Sequence, residues 1–178
     1  MSEPSAPPPA VAIEEARAFL RLAAGQDDAL LPALIGAATA ACEACIGRAI
    51  ILRPMVETWA IATGAWHTLG AVPVRAITRV EGVPAEGAAF ALPRSAYAAA
   101  IAADGTGRVC VNQPGAAGRV RVSYSAGLAD DAASVPEPLR LGILLHAAHY
   151  HRERDPAADA LPVAVRMAWA PWRRMRLI

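Results

Sequence analysis

The stretch "RVRVSYSAGLADDAASVPEPLRLGILLHAAHYHRERD", residues 119–155, changes its period part-way along. From Arg119 to Ser125 the residues alternate. Val120, Val122 and Tyr124 fall on one side, and Arg119, Arg121, Ser123 and Ser125 on the other. A two-residue repeat of this kind belongs to an antiparallel strand with one buried face. From Val135 the pattern turns helical. Pro136 and Pro138 sit where a first turn tolerates them. A long apolar run follows, and Arg152 and Arg154 suit the negative end of a helix. A half-buried strand that hands over to a long apolar helix sets the expectation of an α+β protein.

Working outward, residues 55–126 are rich in β-branched and aromatic residues. "MVETWAIAT", "VRAITRVEGV" and "RVCVN" read as further strands, and "DGTG" (104–107) as a turn. Five or six strands are expected, in a small antiparallel sheet or barrel. Residues 13–47 read as two helices broken at "GQDD", with Asp27 or Asp28 as a cap and Gly47 as a C-cap. In the second of these helices Leu31, Leu34, Ile35, Ala38, Cys42, Cys45 and Ile46 keep helical spacing. A short helix, "PVAVRMAWA", precedes the tail "PWRRMRLI". The predicted organisation is a disordered, proline-rich arm (1–12), a helical bundle drawn from 13–54 and 127–170, an inserted β part (55–126) and a C-terminal docking tail (171–178).

The bulk properties narrow the class. A chain of 178 residues can bury roughly 70% of its unfolded surface and needs no metal or disulfide to fold. The net charge of +1 gives no general bias toward nucleic acid or membrane. Roughly a quarter of the residues are alanine, so the 55% hydrophobic content overstates the large core side chains. Three cysteines make no secreted disulfide framework, and the acidic, proline-rich N-terminus lacks the apolar region of a signal peptide. A soluble, cytoplasmic product is expected.

Three chemical candidates stand out. His146 and His149 lie about 60° apart on a helix, with Glu153 between them and His151 on the other side. With Cys42 and Cys45 they compose a conceivable Cys2His2 zinc set, the basis of an alternative reading as a small zinc-binding or enzymatic domain. Against it, both cysteines continue an apolar helical stripe, and the zinc-protease spacing of i, i+4 is absent. No serine has a nucleophile-elbow context, so no catalytic residue, metal or cofactor is expected. The third candidate is the tail. Arg166, Arg173, Arg174 and Arg176 follow the last acid, Asp159, and Trp169 and Trp172 flank them. Tryptophan and arginine are the side chains most enriched among interface anchors, which suggests a docking segment.

The stretch from Val122 to Asp155 resembles the head–tail connector, or adaptor, proteins of long-tailed phages and gene transfer agents. Tyr124, Gly127, Val135, Pro136, Leu139, Arg140, Tyr150 and Arg152-Glu153 occupy the places of that family's pattern, and "EEARAFLRL", "DDALLPALI" and "CEACIGRAI" look like its opening helices. The Tyr-His-Arg-Glu-Arg spacing is tighter than is usual there. The resemblance implies a structural protein of the virion neck, assembled in the bacterial cytoplasm. It implies a homo-oligomeric ring, usually a dodecamer, between the portal protein and a stopper or other tail protein. DNA would pass through its channel without sequence-specific binding, and no membrane is involved. It also assigns portal docking to Trp169, Trp172, Arg173, Arg174, Met175 and Arg176. The subunit interface is expected at Leu139, Ile143, His146, His149 and Tyr150, on a helix more apolar than one small bundle needs.

Overall fold

The computed structural model describes residues 7–23, 29–152 and 161–174. The chain divides into two compact units. Leu52–Gly127 forms a β unit, and Ser5–Ile51 with Leu128–Ile178 forms a helical unit.

The β unit contains seven strands among the described residues: β1 (Arg53–Ala60), β2 (Trp66–Thr68), β3 (Val74–Val83), β4 (Phe90–Ala91), β5 (Tyr97–Ile101), β6 (Gly107–Val111) and β7 (Arg119–Ala126). They make two antiparallel sheets, ordered β1-β7-β3-β4 and β2-β6-β5, instead of one closed barrel. β7 is an interior strand of the larger sheet and buries one alternating face. It pairs with β1 from Arg53↔Ala126 to Ala60↔Arg119, and with β3 on its other side. Val120, Val122, Tyr124 and Ala126 are buried, and they share one core with Val80 of β3 and Val109 and Val111 of β6. Each such valine contributes roughly 1.5–3 kcal/mol by leaving water. β6 and β7, adjacent in sequence around the loop 112–118, belong to different sheets. At the "DGTG" turn Asp104 accepts hydrogen bonds from both the Thr106 N–H (2.9 Å) and its hydroxyl (2.8 Å).

The helical unit holds α1 (Ile13–Leu20), α2 (Leu31–Ile46), α3 (Glu137–Arg152) and α4 (Val163–Trp169). Of the stripe expected from spacing, α2 buries Leu31, Ile35, Ala38, Cys42 and Ile46, while Leu34 and Cys45 are half-buried against the same core. Gly47 ends it in the left-handed region (φ 67°), where its N–H reaches the Glu43 carbonyl. The Asp27 and Asp28 caps lie outside the described residues. Leu30 stands at the N-cap of α2 and makes no side-chain cap, and Pro32 occupies the first turn. Leu139, Ile143, Leu144 and Ala147 of α3 pack into the same core with Val165 and Trp169 of α4. Among the described residues no helix is long and apolar enough to cross a membrane.

The N-terminal segment corrects one expectation. Ala10 and Val11, within the stretch read as a disordered arm, are fully buried in the helical core. The Thr39 hydroxyl ties them in: it donates to the Ile35 carbonyl (2.8 Å) and accepts from the Ala10 N–H (3.5 Å). Four prolines signalled poor packing, but the two small apolar residues after them fill a gap beside α2.

Candidate assembly interface

α3 is the spine of the candidate site, and its apolar circumference has an internal explanation. α1, α2 and α4 all pack against it. Leu139 and Ile143, expected at a subunit interface, are completely buried within their own unit. They are core residues and not contact residues. His146 is buried too, while His149 is half-buried and Tyr150 lies at the edge of exposure.

The deciding contact is between α3 and α4. Trp169 is 0% exposed, and its indole N–H points at the Leu139 carbonyl (3.4 Å). It fits because residue 142 is glycine. A Cβ there would lie 2.8 Å from Trp169 Cδ1 and 2.9 Å from Cε2, and closer still to Nε1. Trp169, expected in the docking tail, instead anchors α4 inside the unit. Sequence reasoning overlooked Gly142, although a lone glycine inside "RLGILL" is itself a signal of close helix approach.

The histidines complete this seam. The His146 ring stands edge-on to Trp169 (5.8 Å between centroids, 86°) and 4.2 Å from the Tyr150 ring. The His146 and His149 rings are near-parallel at 6.1 Å. Burial, and then the neighbouring His149, lower the His146 pKa. Nδ1 of His146 and Nε2 of His149 are buried without a hydrogen-bond partner among the described residues. The zinc alternative finds no geometric support: Cys42, Cys45, His146 and His149 form no metal-holding cluster among the described residues. Burial, then Cys45 and Glu43, push the Cys42 thiol well up, so it packs as a neutral side chain. Glu153 lies outside the described residues.

Past Trp169 the chain stays attached. Trp172 is half-buried against the helical core. The Arg174 N–H donates to the Ile46 carbonyl (2.8 Å), one of the last carbonyls of α2, which have no partner inside the helix. Arg173 is exposed; Met175 and Arg176 lie outside the described residues. The outer side of α4 carries a feature not anticipated from sequence: Val163 and Met167, one turn apart, are 66% and 70% exposed. With Arg166 and Arg173 they give the C-terminal segment an apolar, cationic outer surface.

The β unit has its own surface. On the outer face of β1, β7 and β3, Arg119 and Arg121 stand beside Val56, Thr58 and Ser123, and Arg121 lies opposite Glu81. These residues line an open concavity of about 980 Å³. On the inner side the Tyr124 hydroxyl donates to Glu57 and accepts from the Ala71 N–H (3.2 Å). Glu57 also accepts from the Gly70 N–H (2.9 Å). Burial, then the bond to Glu57, raise the Tyr124 pKa, so the phenol stays a donor.

No family model and no curated protein matches this chain. Solved structures do. A chain in the neck of an empty gene transfer agent particle, computed with C6 symmetry, superposes with a TM-score of 0.81 at 27% identity, covering 100% of this chain and 96% of that one. This chain is similar over its whole length to a gene transfer agent neck protein. A chain from the neck of the native particle, computed with C12 symmetry, gives 0.77 at 26% identity with the same coverage. One from the native virion gives 0.72 at 28% identity, covering 99% and 96%. These neighbours support the resemblance to head–tail connectors and match the α+β fold.

Proposed function

We propose that this chain is a structural head-to-tail adaptor in the neck of a phage or gene transfer agent, without a catalytic role. The carrying observation is the full-length likeness to neck chains, with both chains covered almost end to end. In this reading copies form a ring, a dodecamer, between the portal and the next neck or tail protein. DNA passes through its centre without sequence-specific contact. The C6 and C12 symmetries of the neighbouring neck structures support a cyclic assembly. The protein assembles in the bacterial cytoplasm and ends in the virion.

Portal docking falls to the outer C-terminal surface: Val163, Met167, Arg173 and the residues after Arg174. Trp172 and Arg174 hold this segment to the helical core, and Trp169 holds α4 from within. The test is capture by purified portal. Truncation after Arg174 combined with Met167→Asp should abolish capture and leave the circular dichroism spectrum unchanged. Full capture by that variant refutes the docking role of the C-terminal segment. An image of the mature particle's neck lacking this chain refutes the adaptor reading itself.

A further inference from the structure

We propose that copies of this chain join through two unlike charged patches: the cationic outer face of the larger β sheet on one copy, and the acidic start of α3 on the next. The inference rests on the ring reading above, because a ring needs a heterologous contact in which one patch meets a different patch on its neighbour. No such pair is evident from overall charge.

The first patch lies wholly on the β unit. Arg79, Arg119 and Arg121 project from the outer face of β3 and β7, with Glu81 the one carboxylate among them in the cross-strand register. Glu81 is engaged by Arg79 at 3.4 Å. Arg119 faces only Ala60 and Val83 across the strands. Neither Arg119 nor Arg121 has an ion-pair partner among the described residues; both line the open concavity, where Glu57, which accepts from Tyr124 and the Gly70 N–H, and Glu81 are the carboxylates, so the three arginines of this face leave a surplus of one positive charge. Val56, 42% exposed, supplies an apolar contact in the same concavity.

The second patch lies wholly on the helical unit. Asp130 and Asp131 sit in the exposed turn before α3. Asp131 accepts hydrogen bonds from the Ser134 N–H (2.9 Å) and hydroxyl, which fix the turn. Glu137 and Glu15 both reach Arg140, at 2.6 and 3.3 Å. Glu15 and Glu137 thus share one guanidinium, and Asp130 and Asp131 add two further carboxylates in the turn that leads into α3. Leu141, one turn beyond Glu137 and 45% exposed, is the apolar counterpart of Val56. Each patch has a surplus of charge of opposite sign and an exposed aliphatic residue. A copy of the chain therefore carries both halves of a complementary pair, the arrangement that steers and registers an interface.

Two charge-reversed variants test this in sedimentation equilibrium across 10 µM to 1 mM protein. One is Arg119→Glu with Arg121→Glu; the other is Asp130→Arg with Glu137→Arg. The wild-type protein should self-associate, and more weakly as salt is raised and the charges are screened. Each variant alone should associate at least about tenfold more weakly, because like charges then meet. An equimolar mixture should recover wild-type association, since each variant then offers the other a complementary partner at both patches. A folding defect would not be rescued by mixing. A wild-type monomer at 1 mM, or a mixture as weak as its parts, overturns the inference. So does loss of association in the arginine variant alone, which would mean a symmetric contact between β faces. Retention of a monomeric wild type on double-stranded DNA through Arg119 and Arg121 also overturns it. None of these outcomes removes the protein from the neck, so the adaptor reading is tested separately by imaging.

Discussion

Replacing Gly142 by alanine sets two effects of opposite sign against each other. In the middle of α3, alanine should gain about 0.8–1 kcal/mol from helix propensity. Its methyl carbon, however, would fall 2.8 Å from Cδ1 and 2.9 Å from Cε2 of Trp169, where ordinary contact begins near about 3.5 Å. Trp169 is fully buried and cannot swing into solvent, so α4 must move away from α3. Overpacking of this kind costs about 1–3 kcal/mol, and loss of the indole bond to Leu139 adds about 1 kcal/mol. The net expectation is destabilisation by about 1–3 kcal/mol. At a urea slope of about 2 kcal/mol/M this lowers the unfolding midpoint, followed by far-ultraviolet circular dichroism, by about 0.5–1.5 M. A double-mutant cycle sharpens the assay. Trp169→Leu should cost less in the Gly142→Ala background than in the wild type, because the steric conflict is then relieved. A Gly142→Ala midpoint at or above wild type, or a strictly additive cycle, would show that the notch does not hold α4.

Further outcomes follow from the same geometry. His146 has a folded-state pKa below the ordinary histidine value of 6.5, so the folded protein prefers it neutral. Its unfolded form takes up a proton first as pH falls below 6.5, and the helical unit should lose stability there; His146→Gln should flatten that slope in urea titrations at pH 5 and 8. Tyr124→Phe removes the donor to Glu57 and the acceptor of the Ala71 N–H, and should cost about 1.5–3 kcal/mol in thermal or urea unfolding; a change under about 0.5 kcal/mol contradicts the bond's role. Cys42, buried and with its thiol pKa raised, should resist a disulfide-exchange reagent in the native state and react on unfolding; fast native labelling of Cys42 would show that α2 opens.

Much of the architecture could be read from local pattern because local pattern caused it. The alternation of Arg119–Ser125 can bury only one face, so it made a strand whichever strands flanked it. Spacing in α2 chose its buried stripe, and Gly47 marked its end. The family pattern between Val122 and Asp155 was legible for the same reason, since it records packing residues at fixed separations.

The fate of the candidate site residues was not local. Trp169 stands between Arg166 and Arg173, and nothing nearby distinguishes an anchor that faces a partner from one that faces inward. The missing side chain at Gly142, twenty-seven positions earlier, decides it. Leu139 and Ile143 are apolar under either reading, and only the arrival of α2 and α4 on the same helix makes them core. The two charged patches are likewise invisible in order along the chain, since Arg79 and Arg121 become neighbours only through the β3–β7 register. By itself the sequence determined which residues leave water, because that depends on side-chain chemistry and period. Which surface covers them, and which charges are left uncovered together, depends on contacts between distant segments, and only the tertiary structure decided that.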